Sequence, residues 1–290
     1  MSTPQFLMTD PAFYEVTYSI NPWMQPDLWA ADVEGSRTAA RASWQQLKET
    51  LTLAGAEIVE APGAAGLPDM VFPSNAAVVL DGRALVARFR HPERQPEAER
   101  FLEYFRALAE RGLLREVQQL PEGLYQEGEG DCVWDPARQL FWAGYGPRSS
   151  RDAADSVADY FSATVIPLEL VAPHYYHMDV CLMPLEGGEI LYFPPAFTAE
   201  GLAELRSRVP PDQLIEVAEQ DAQALAINAV NVGRNVVLAA GAPRLCEQLR
   251  ERGYTPMEVE LEPFIQSGGA SFCMTLRLDW ESLADRPHLR

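Results

Sequence analysis

One cysteine and one histidine stand in surroundings that suit a thiol nucleophile. Cys273 follows the run Ser-Gly-Gly-Ala-Ser-Phe, whose glycines let the backbone approach a ligand closely. His177 can act as a general acid and base, because imidazole titrates near neutral pH. Asp179 follows two residues later and shares the face of His177 if the segment is a strand. The alternative for each residue is structural, since an isolated cysteine is often only a small buried hydrophobe.

Acidic residues recur at two further places. Asp69 interrupts the run Leu-Pro-Asp-Met-Val-Phe, and the sequence Glu-Gly-Glu-Gly-Asp occupies 127–131. Each is either a turn or a ligand for a cation, and several carboxylates can hold a planar guanidinium group through bidentate hydrogen bonds. The bound cation and His177 would favour the Cys273 thiolate, which would attack the guanidinium carbon and form a covalent thiouronium species. His177 would protonate the departing amine and then activate water.

Three arginines follow predicted strand ends near these sites, namely Arg88, Arg90 and Arg148. Arginine is the usual bidentate partner of a carboxylate, so these side chains are candidate ligands for a substrate carboxylate. The alternative is that each is a solvated surface arginine.

The elements that must position these residues repeat along the chain. Four β-rich hairpins have their turns about 50 residues apart, at Asp81-Gly82, Asp135-Pro136, Gly187-Gly188 and Gly233-Arg234. A helix is predicted after each hairpin, at 97–111, 151–161, 198–208 and 243–252. A fifth unit would join a C-terminal strand at 272–278 to an N-terminal strand at 5–9, which closes a ring without exposed sheet edges.

The candidate residues come at matching places in these repeats, at or just before the first strand of a hairpin or on a strand after glycines. They are Asp69, the acids at 127–131, His177 with Asp179, Asn228, and Cys273. If the repeats pack around a pseudo-axis, these positions gather at one end of it. The constellation is therefore stronger evidence for a site than any single residue.

Composition and charge disfavour several classes of protein. The chain has 290 residues, 47% of them hydrophobic, and we expect a single domain over residues 1–290. A formal net charge of -19 disfavours binding to nucleic acid and anionic membranes; it suits a small cationic partner or, as the alternative, only provides solubility. The sequence has no apolar run long enough for a membrane span and nothing like a signal peptide at its N-terminus, so we expect a cytoplasmic protein. The four cysteines lack zinc-site spacing, and we expect neither a metal nor a cofactor.

Several motifs resemble the amidinotransferase and dimethylarginine dimethylaminohydrolase superfamily, whose enzymes modify guanidino groups. The matching pieces span nearly the whole chain in family order. They are Phe-Tyr-Glu-Val-Thr-Tyr-Ser-Ile-Asn-Pro-Trp-Met at 13–24, Leu-Pro-Asp-Met-Val-Phe at 67–72, Glu-Gly-Glu-Gly-Asp at 127–131, Tyr-His-Met-Asp at 176–179, and Cys273. The segments 140–148 and 168–171 resemble a bacterial branch that includes arginine dihydrolases.

The resemblance implies a fold and a set of catalytic residues. The fold would be the pentein fold, an α/β five-bladed propeller of pseudo-symmetric ββαβ repeats. Cys273 would be the nucleophile and His177 the acid and base. Glu127 would be the acid that orients His177, with Glu129 and Asp131 as alternatives in the same motif.

The resemblance also implies a set of substrate-binding residues. Asp69 would bind the guanidinium group, with Asp179 and Asp131 as further contacts, and Arg90 and Arg148 would bind a substrate carboxylate, with Arg88 as the rival to Arg90. Similar dihydrolases use an asparagine at the position of Asn75 to take arginine through citrulline to ornithine. Asn75 would therefore decide the product, and its alternative is a turn residue.

Three hypotheses remain open at the level of the sequence. The first is a cofactor-free, cysteine-dependent hydrolase that cleaves a guanidine C–N bond of arginine or a methylated arginine, giving citrulline, or ornithine plus ammonia. The second is an amidinotransferase that passes the amidino group to an amine. The third is a non-catalytic arginine-binding module. The partner in all three is a small cationic guanidino compound, and homo-oligomerisation is left open.

Overall fold

A computed structural model describes residues 3–283 of the chain. The strands are β1 (Gln5–Thr9), β2 (Glu57–Ala61), β3 (Ala77–Leu80), β4 (Arg83–Val86), β5 (Glu116–Gln119), β6 (Cys132–Asp135), β7 (Leu140–Tyr145), β8 (Thr164–Glu169), β9 (Leu182–Pro184), β10 (Ile190–Tyr192), β11 (Leu214–Glu216), β12 (Val230–Val232), β13 (Asn235–Ala239), β14 (Thr255–Val259) and β15 (Leu276–Arg277). The helices are α1 (Pro26–Ala31), α2 (Val33–Ala54), α3 (Gln95–Glu110), α4 (Gly128–Asp131), α5 (Ala153–Phe161), α6 (Ala199–Arg208), α7 (Glu219–Gln223), α8 (Pro243–Glu251) and α9 (Glu262–Ile265).

The described strands form five three-stranded sheets of one topology. In each sheet the middle strand pairs antiparallel with one neighbour and parallel with the other, as β4 does with β3 and β5. A helix connects the middle strand to its parallel neighbour, so each unit reads ββαβ. The fifth sheet joins the two ends of the chain, because β15 pairs antiparallel with β1, which pairs parallel with β2. The predicted five-bladed α/β-propeller, including closure through the terminal strands, is confirmed.

Local sequence accounts for the hairpins and the outer helices. Asp81 and Gly82 both have positive φ, 54° and 67°, which is the conformation that a two-residue hairpin turn requires. Helix α3 places Phe101, Phe105 and Leu108 on one buried face at helical spacing. The hairpin strands thus occupy the inner layer, and helices packed through such faces lie outside them.

The segments before the first strands differ from the prediction. The chain forms short 3-10 turns at Pro73–Ala76 and Met178–Val180, and β9 and β15 begin later than predicted. The expectation that Asp179 shares a face with His177 through strand alternation is wrong, because Asp179 lies within the 3-10 turn. These turns are stabilised by hydrogen bonds to neighbouring units, which local sequence does not encode.

No helix among the described residues is long and apolar enough to cross a membrane. Within the same residues, no group of three or more histidine, cysteine or acidic side chains is arranged to hold a metal ion.

Candidate active site

The turns that precede the first strands of the five sheets meet one another through hydrogen bonds. The Ser74 amide donates to the Cys273 carbonyl at 3.3 Å, and the Phe272 amide donates to the Asn228 carbonyl at 3.2 Å. The Met178 amide donates to a carboxylate oxygen of Asp131 at 3.1 Å. Side chains that lie 45 to 50 positions apart in sequence, such as those of Cys273 and Asn228 or His177 and Glu127, are thereby brought into contact.

The glycines of the Glu-Gly-Glu-Gly-Asp motif permit this close approach. Gly128 has φ of +61°, and a Cβ there would lie 2.3 Å from the Ser74 carbonyl oxygen. A Cβ on Gly130 would lie 2.2 Å from the side-chain nitrogen of Asn75. Real Cβ atoms essentially never come so close to other atoms, so glycine is needed at Gly128 to seat α4 against the backbone of the Pro73–Ala76 turn, and a side chain at Gly130 would displace the Asn75 carboxamide.

Cys273 is buried beside a carboxyl group and a carboxamide. Its Sγ lies 3.1 Å from Oδ2 of Asp179 and 3.1 Å from Nδ2 of Asn228. Burial and the neighbouring Asp179 carboxylate raise the pKa of the Cys273 thiol well above its ordinary value. Burial likewise raises the pKa of Asp179 to about 7. Cys273 is therefore a protonated thiol near neutral pH.

His177 contacts Glu127 within a buried group of charged side chains. Its Nε2 lies 2.8 Å from Oε2 of Glu127, and the same oxygen accepts a hydrogen bond from the Arg148 guanidinium at 2.9 Å. Burial opposes ionisation of Glu127, but Arg148 and the hydrogen bond from His177 hold the pKa of this carboxyl well below its ordinary value. A carboxylate only accepts hydrogen bonds, so Nε2 carries the imidazole hydrogen.

The second nitrogen of His177 is left with a free lone pair. Nδ1 is buried and has no hydrogen-bond partner among the described residues. Burial lowers the pKa of His177 to about 4, so the ring is neutral near pH 7. The neutral ring can accept a proton at Nδ1, and the Glu127 carboxylate would then stabilise the imidazolium.

The other two acids of the motif point elsewhere. Glu129 accepts a hydrogen bond from the Val79 amide at 3.4 Å, and burial raises its pKa well above the ordinary value. Asp131 accepts hydrogen bonds from the Ser149 hydroxyl at 2.5 Å and from a backbone amide, and it lies 3.9 Å from Nε2 of His177. Glu127 is thus the acid that makes the close contact, and its role in catalysis stays a prediction.

A small cavity lies beside Cys273. Its lining combines backbone and side chains from all parts of the chain: Ile20, Asn21, Asp69, Phe72, Asn75, Arg94, Arg148, Tyr176, Ser267, Gly269 and Cys273. Four predicted site residues are among them, namely Asp69, Asn75, Arg148 and Cys273. Glu127 and Asp179 lie in direct contact with this lining, and His177 contacts Glu127 behind it.

Two carboxyl groups, one beside the thiol and one in the cavity lining, keep an unused oxygen. Oδ1 of Asp69 and Oδ1 of Asp179 are buried and have no hydrogen-bond partner among the described residues. The other oxygen of Asp69 accepts a hydrogen bond from the Tyr18 hydroxyl at 3.0 Å. Burial raises the pKa of Asp69, so a cation placed between these carboxyls would favour their ionised forms.

Of the predicted arginines, only Arg148 lines the cavity. Arg148 lines the cavity, where its guanidinium stacks over the Tyr176 ring at 4.6 Å. Arg90 lies outside the lining, donates from Nε to the Arg148 carbonyl at 2.8 Å, and stacks over the Tyr125 ring at 5.1 Å. Its backbone amide donates to Glu127 at 3.1 Å. The proposed binding of substrate by Arg90 and by Asp131 therefore stays a prediction without a place in the cavity lining.

Sequence reasoning missed Arg94, which lines the cavity in place of Arg90. Its guanidinium donates to Asn75 Oδ1 at 2.7 Å and to Glu97 at 2.8 Å, and it lies 3.8 Å from Asp69. The only local signal was the spacing of three between Arg94 and Glu97 at the start of α3, which usually marks a surface ion pair. The rival candidate Arg88 instead donates to the Leu120 carbonyl at 2.7 Å.

Comparison with known proteins identifies the family. Residues 12–279 match the family model described as eukaryotic N,N dimethylarginine dimethylhydrolase. The chain belongs to this family. A dimethylarginine dimethylaminohydrolase of Mycobacterium tuberculosis is 36% identical over 278 residues, which cover 95% of this chain and 86% of that protein. The predicted family, and its place among the penteins, are confirmed.

The chain is also similar to bifunctional relatives. The bifunctional arginine dihydrolase/ornithine cyclodeaminase ArgZ of a Synechocystis strain is 38% identical over 281 residues, 97% of this chain but 38% of ArgZ. The present chain thus spans about two fifths of the length of that relative. The solved N-terminal domain of ArgZ superposes with a TM-score of 0.88 at 37% identity, covering 96% of this chain and 99% of that domain. The predicted enzyme class, a hydrolase of the dimethylargininase and arginine dihydrolase type, matches the names of these relatives.

Proposed function

We propose that the chain is a cysteine-dependent hydrolase that cleaves the guanidine group of arginine and carries the reaction through citrulline to ornithine. The observation that carries this proposal is the arrangement around Cys273. A buried thiol lies between a carboxyl group with a free oxygen and a cavity that holds a second such carboxyl and Asn75. A guanidinium group would place its carbon beside the sulfur while Asp69 and Asp179 accept its hydrogen bonds.

The cavity lining also provides positive charge for the other end of an amino acid. Arg94 and Arg148 are the arginines among the lining residues, and both are almost wholly buried. A substrate that carries a carboxylate as well as a guanidinium could bind to both the basic and the acidic side chains of this lining, whereas agmatine lacks the carboxylate. Free arginine is therefore the proposed substrate, and methylated arginines are the second candidate.

The first half-reaction replaces ammonia by the thiol. The thiol proton passes to Nδ1 of His177, and the Cys273 thiolate forms a bond to the guanidinium carbon. The imidazolium protonates an amino group of the resulting tetrahedral carbon, and the C–N bond breaks to release ammonia. A thiouronium group remains on the sulfur. Glu127 stabilises the imidazolium through the 2.8 Å hydrogen bond while the proton is held there.

The second half-reaction uses water as the acceptor. Nδ1 of His177 takes a proton from water, whose oxygen bonds to the thiouronium carbon, and the C–S bond breaks to give citrulline and the thiol. A further round on citrulline adds a second water, so that arginine and two waters give ornithine, carbon dioxide and two ammonia molecules. Asn75 lies in the cavity with its carboxamide oxygen held by Arg94, and we assign it to this further round.

The similar structures support this choice. One describes the N-terminal domain of ArgZ as an arginine dihydrolase, in a cysteine-to-serine variant bound to substrate. Another, with a TM-score of 0.88, describes an asparagine-to-serine variant of ArgZ covalently bound to a reaction intermediate. In those proteins a cysteine and an asparagine are thus the positions chosen to trap bound species.

A product screen by mass spectrometry tests the proposal. The purified chain is incubated with arginine, asymmetric dimethylarginine or agmatine, each with and without glycine. Ornithine and ammonia from arginine are expected, and Asn75→Ser should accumulate citrulline or a covalent adduct instead. Cys273→Ser should form no product, while Cys246→Ser, at a buried cysteine in α8, should keep wild-type activity.

The alternatives predict different products. Guanidinoacetate in the presence of glycine would make the chain an amidinotransferase, and dimethylamine from asymmetric dimethylarginine would make it a dimethylargininase. Thermal stabilisation by arginine without turnover would support the binding module. The cytoplasmic location, the absence of a cofactor and of nucleic-acid binding, and homo-oligomerisation stay predictions.

A further inference from the structure

Asn228 is a buried carboxamide whose four hydrogen-bonding positions are all used at the nucleophile. Its Oδ1 accepts hydrogen bonds from the backbone amides of Ala270 and Cys273, both at 3.0 Å. Its Nδ2 donates to the Asp179 carbonyl at 3.2 Å and to the Cys273 sulfur at 3.1 Å. The residue is fully buried, just before β12, at the place where each of the other units carries its own turn.

This pattern fixes which end of the carboxamide faces the sulfur. A carboxamide offers two donors and two acceptor lone pairs, and here two backbone amides that can only donate occupy the oxygen. A rotated side chain would place its NH2 group against the amides of Ala270 and Cys273. These buried amides would then lack an acceptor, which is energetically unfavourable. The donor of Asn228 is therefore held toward Sγ by the same turn that presents the sulfur.

We propose that Asn228 is a catalytic residue that positions the Cys273 turn through its oxygen and stabilises the thiolate through its nitrogen. The sulfur gains negative charge when its proton leaves, and hydrogen bonds donated to a charged group are stronger than those donated to a neutral one. Asn228 thus provides a donor that favours the thiolate, whereas the neighbouring Asp179 carboxyl disfavours it.

This role rests on the proposed function, because it assumes that Cys273 acts as the nucleophile. Asn228 would donate the same hydrogen bond when the C–S bond to the thiouronium carbon breaks, because the negative charge then returns to the sulfur. Loss of the donor should therefore lower kcat more than it raises KM, because the donor contacts the reacting sulfur and not the substrate.

The test measures the ionisation of Cys273 directly. Thiolate absorbance at 240 nm is titrated against pH in each protein, and the curve of its Cys273→Ser partner is subtracted. The variants are Asn228→Ala, which removes the donor without adding charge, and Asn228→Asp, which keeps the acceptor but replaces the donor. Other charged groups that face this region are constant among the variants; they are Asp69, Arg94, Arg148, Tyr176 and Asp179.

Asn231 provides a matched control three residues further along. Its carboxamide is also buried and makes three hydrogen bonds, accepting from the Glu186 amide and donating to the carbonyls of Gly233 and Asn235, but none to the thiol. Asn231→Asp should lower the thermal midpoint and leave the Cys273 titration unchanged. It therefore separates general destabilisation from an effect on the sulfur.

We expect both Asn228 variants to have about 10- to 100-fold less thiolate than the wild type at a pH below the thiol pKa, with the larger loss in Asn228→Asp. A Cys273 titration midpoint in Asn228→Ala equal to that of the wild type would overturn the role of the donor. A shift of the midpoint in Asn228→Asp alone would overturn it too, because charge repulsion by the new carboxylate would explain that shift. Because no substrate is used, the result stands even if arginine proves not to be turned over. If the Cys273 titration midpoint shifts as expected but the chain does not hydrolyse arginine, the proposed function is wrong and the role of Asn228 toward the thiolate still stands.

Discussion

Binding of arginine to this site should release a proton from Asp179. The carboxyl lies 3.1 Å from the Cys273 sulfur, and burial raises its pKa to about 7. A guanidinium group placed against its unpaired oxygen would supply an opposite charge and so lower the pKa of the carboxyl. Arginine binding and ionisation of Asp179 are then thermodynamically coupled.

The number of protons released on binding follows from the fraction of Asp179 that is protonated before arginine binds. With a pKa of about 7, the carboxyl carries about 0.9 proton at pH 6 and about 0.1 proton at pH 8. If the bound complex holds the carboxylate, these are also the protons released per arginine bound. Affinity should accordingly fall about tenfold for each pH unit below 7 and level off above it.

Isothermal titration calorimetry of the Cys273→Ser variant measures this release without turnover. Arginine is titrated at pH 6 and pH 8 in buffers of different ionisation enthalpy, and the slope of the heat against that enthalpy gives the protons released. Combining Cys273→Ser with Asp179→Asn should lower the release at pH 6 by about 0.9. Asp69, whose pKa burial also raises, accounts for any release that remains.

A second buried acid serves as the control. Asp221 is buried and accepts a hydrogen bond from the Leu245 amide at 2.6 Å, away from the cavity. Asp221→Asn should leave both affinity and proton release unchanged. Equal proton release at pH 6 with and without Asp179→Asn would refute the coupling, because another group would then be the source.

Two further predictions concern the buried framework of the site. Glu127→Gln leaves the Arg148 guanidinium buried without its carboxylate, so the free energy of unfolding should fall by about 3–5 kcal/mol in urea titrations; a change below about 1 kcal/mol would contradict a structural ion pair here. Gly128→Ala should cost at least about 4 kcal/mol or prevent folding, because its Cβ would lie 2.3 Å from the Ser74 carbonyl oxygen. Gly123→Ala, also at positive φ but with nothing within 4 Å, should cost only about 1–2 kcal/mol, and equal losses at both glycines would show that the contact with Ser74 is unimportant.

The repeat of hairpins was predictable because its signals are local. An Asp-Gly pair at positions 81 and 82 can adopt two successive positive φ angles, and the apolar spacing of α3 needs only neighbouring residues. Strand starts were less predictable, since the 3-10 turn at Met178–Val180 depends on a hydrogen bond from Met178 to Asp131, 47 residues earlier. The alternation rule therefore failed for Asp179, although the residue itself lies beside the nucleophile.

The sequence predicted those site residues whose type is unusual among their neighbours along the chain. Cys273 after two glycines and Asp69 within an apolar run both met this condition, and both line the cavity. Arg94 did not, because the pair Arg94 and Glu97 looks like a surface ion pair of a helix. Only the tertiary structure shows that it is 3% exposed and bonded to Asn75.

The pseudo-symmetry of the fold explains why one end of the ring gathers such different groups. Each unit delivers a short turn to the same centre, and both backbone and side-chain hydrogen bonds join these turns. The turns accordingly present Asn75, Asp131, Asp179, Asn228 and Cys273. A thiol, carboxyl groups and carboxamides thus come from equivalent places in the five units. The Asn228, Asp179 and Asn75 variants measure how far the chemistry of one turn can be changed while the neighbouring turns keep theirs.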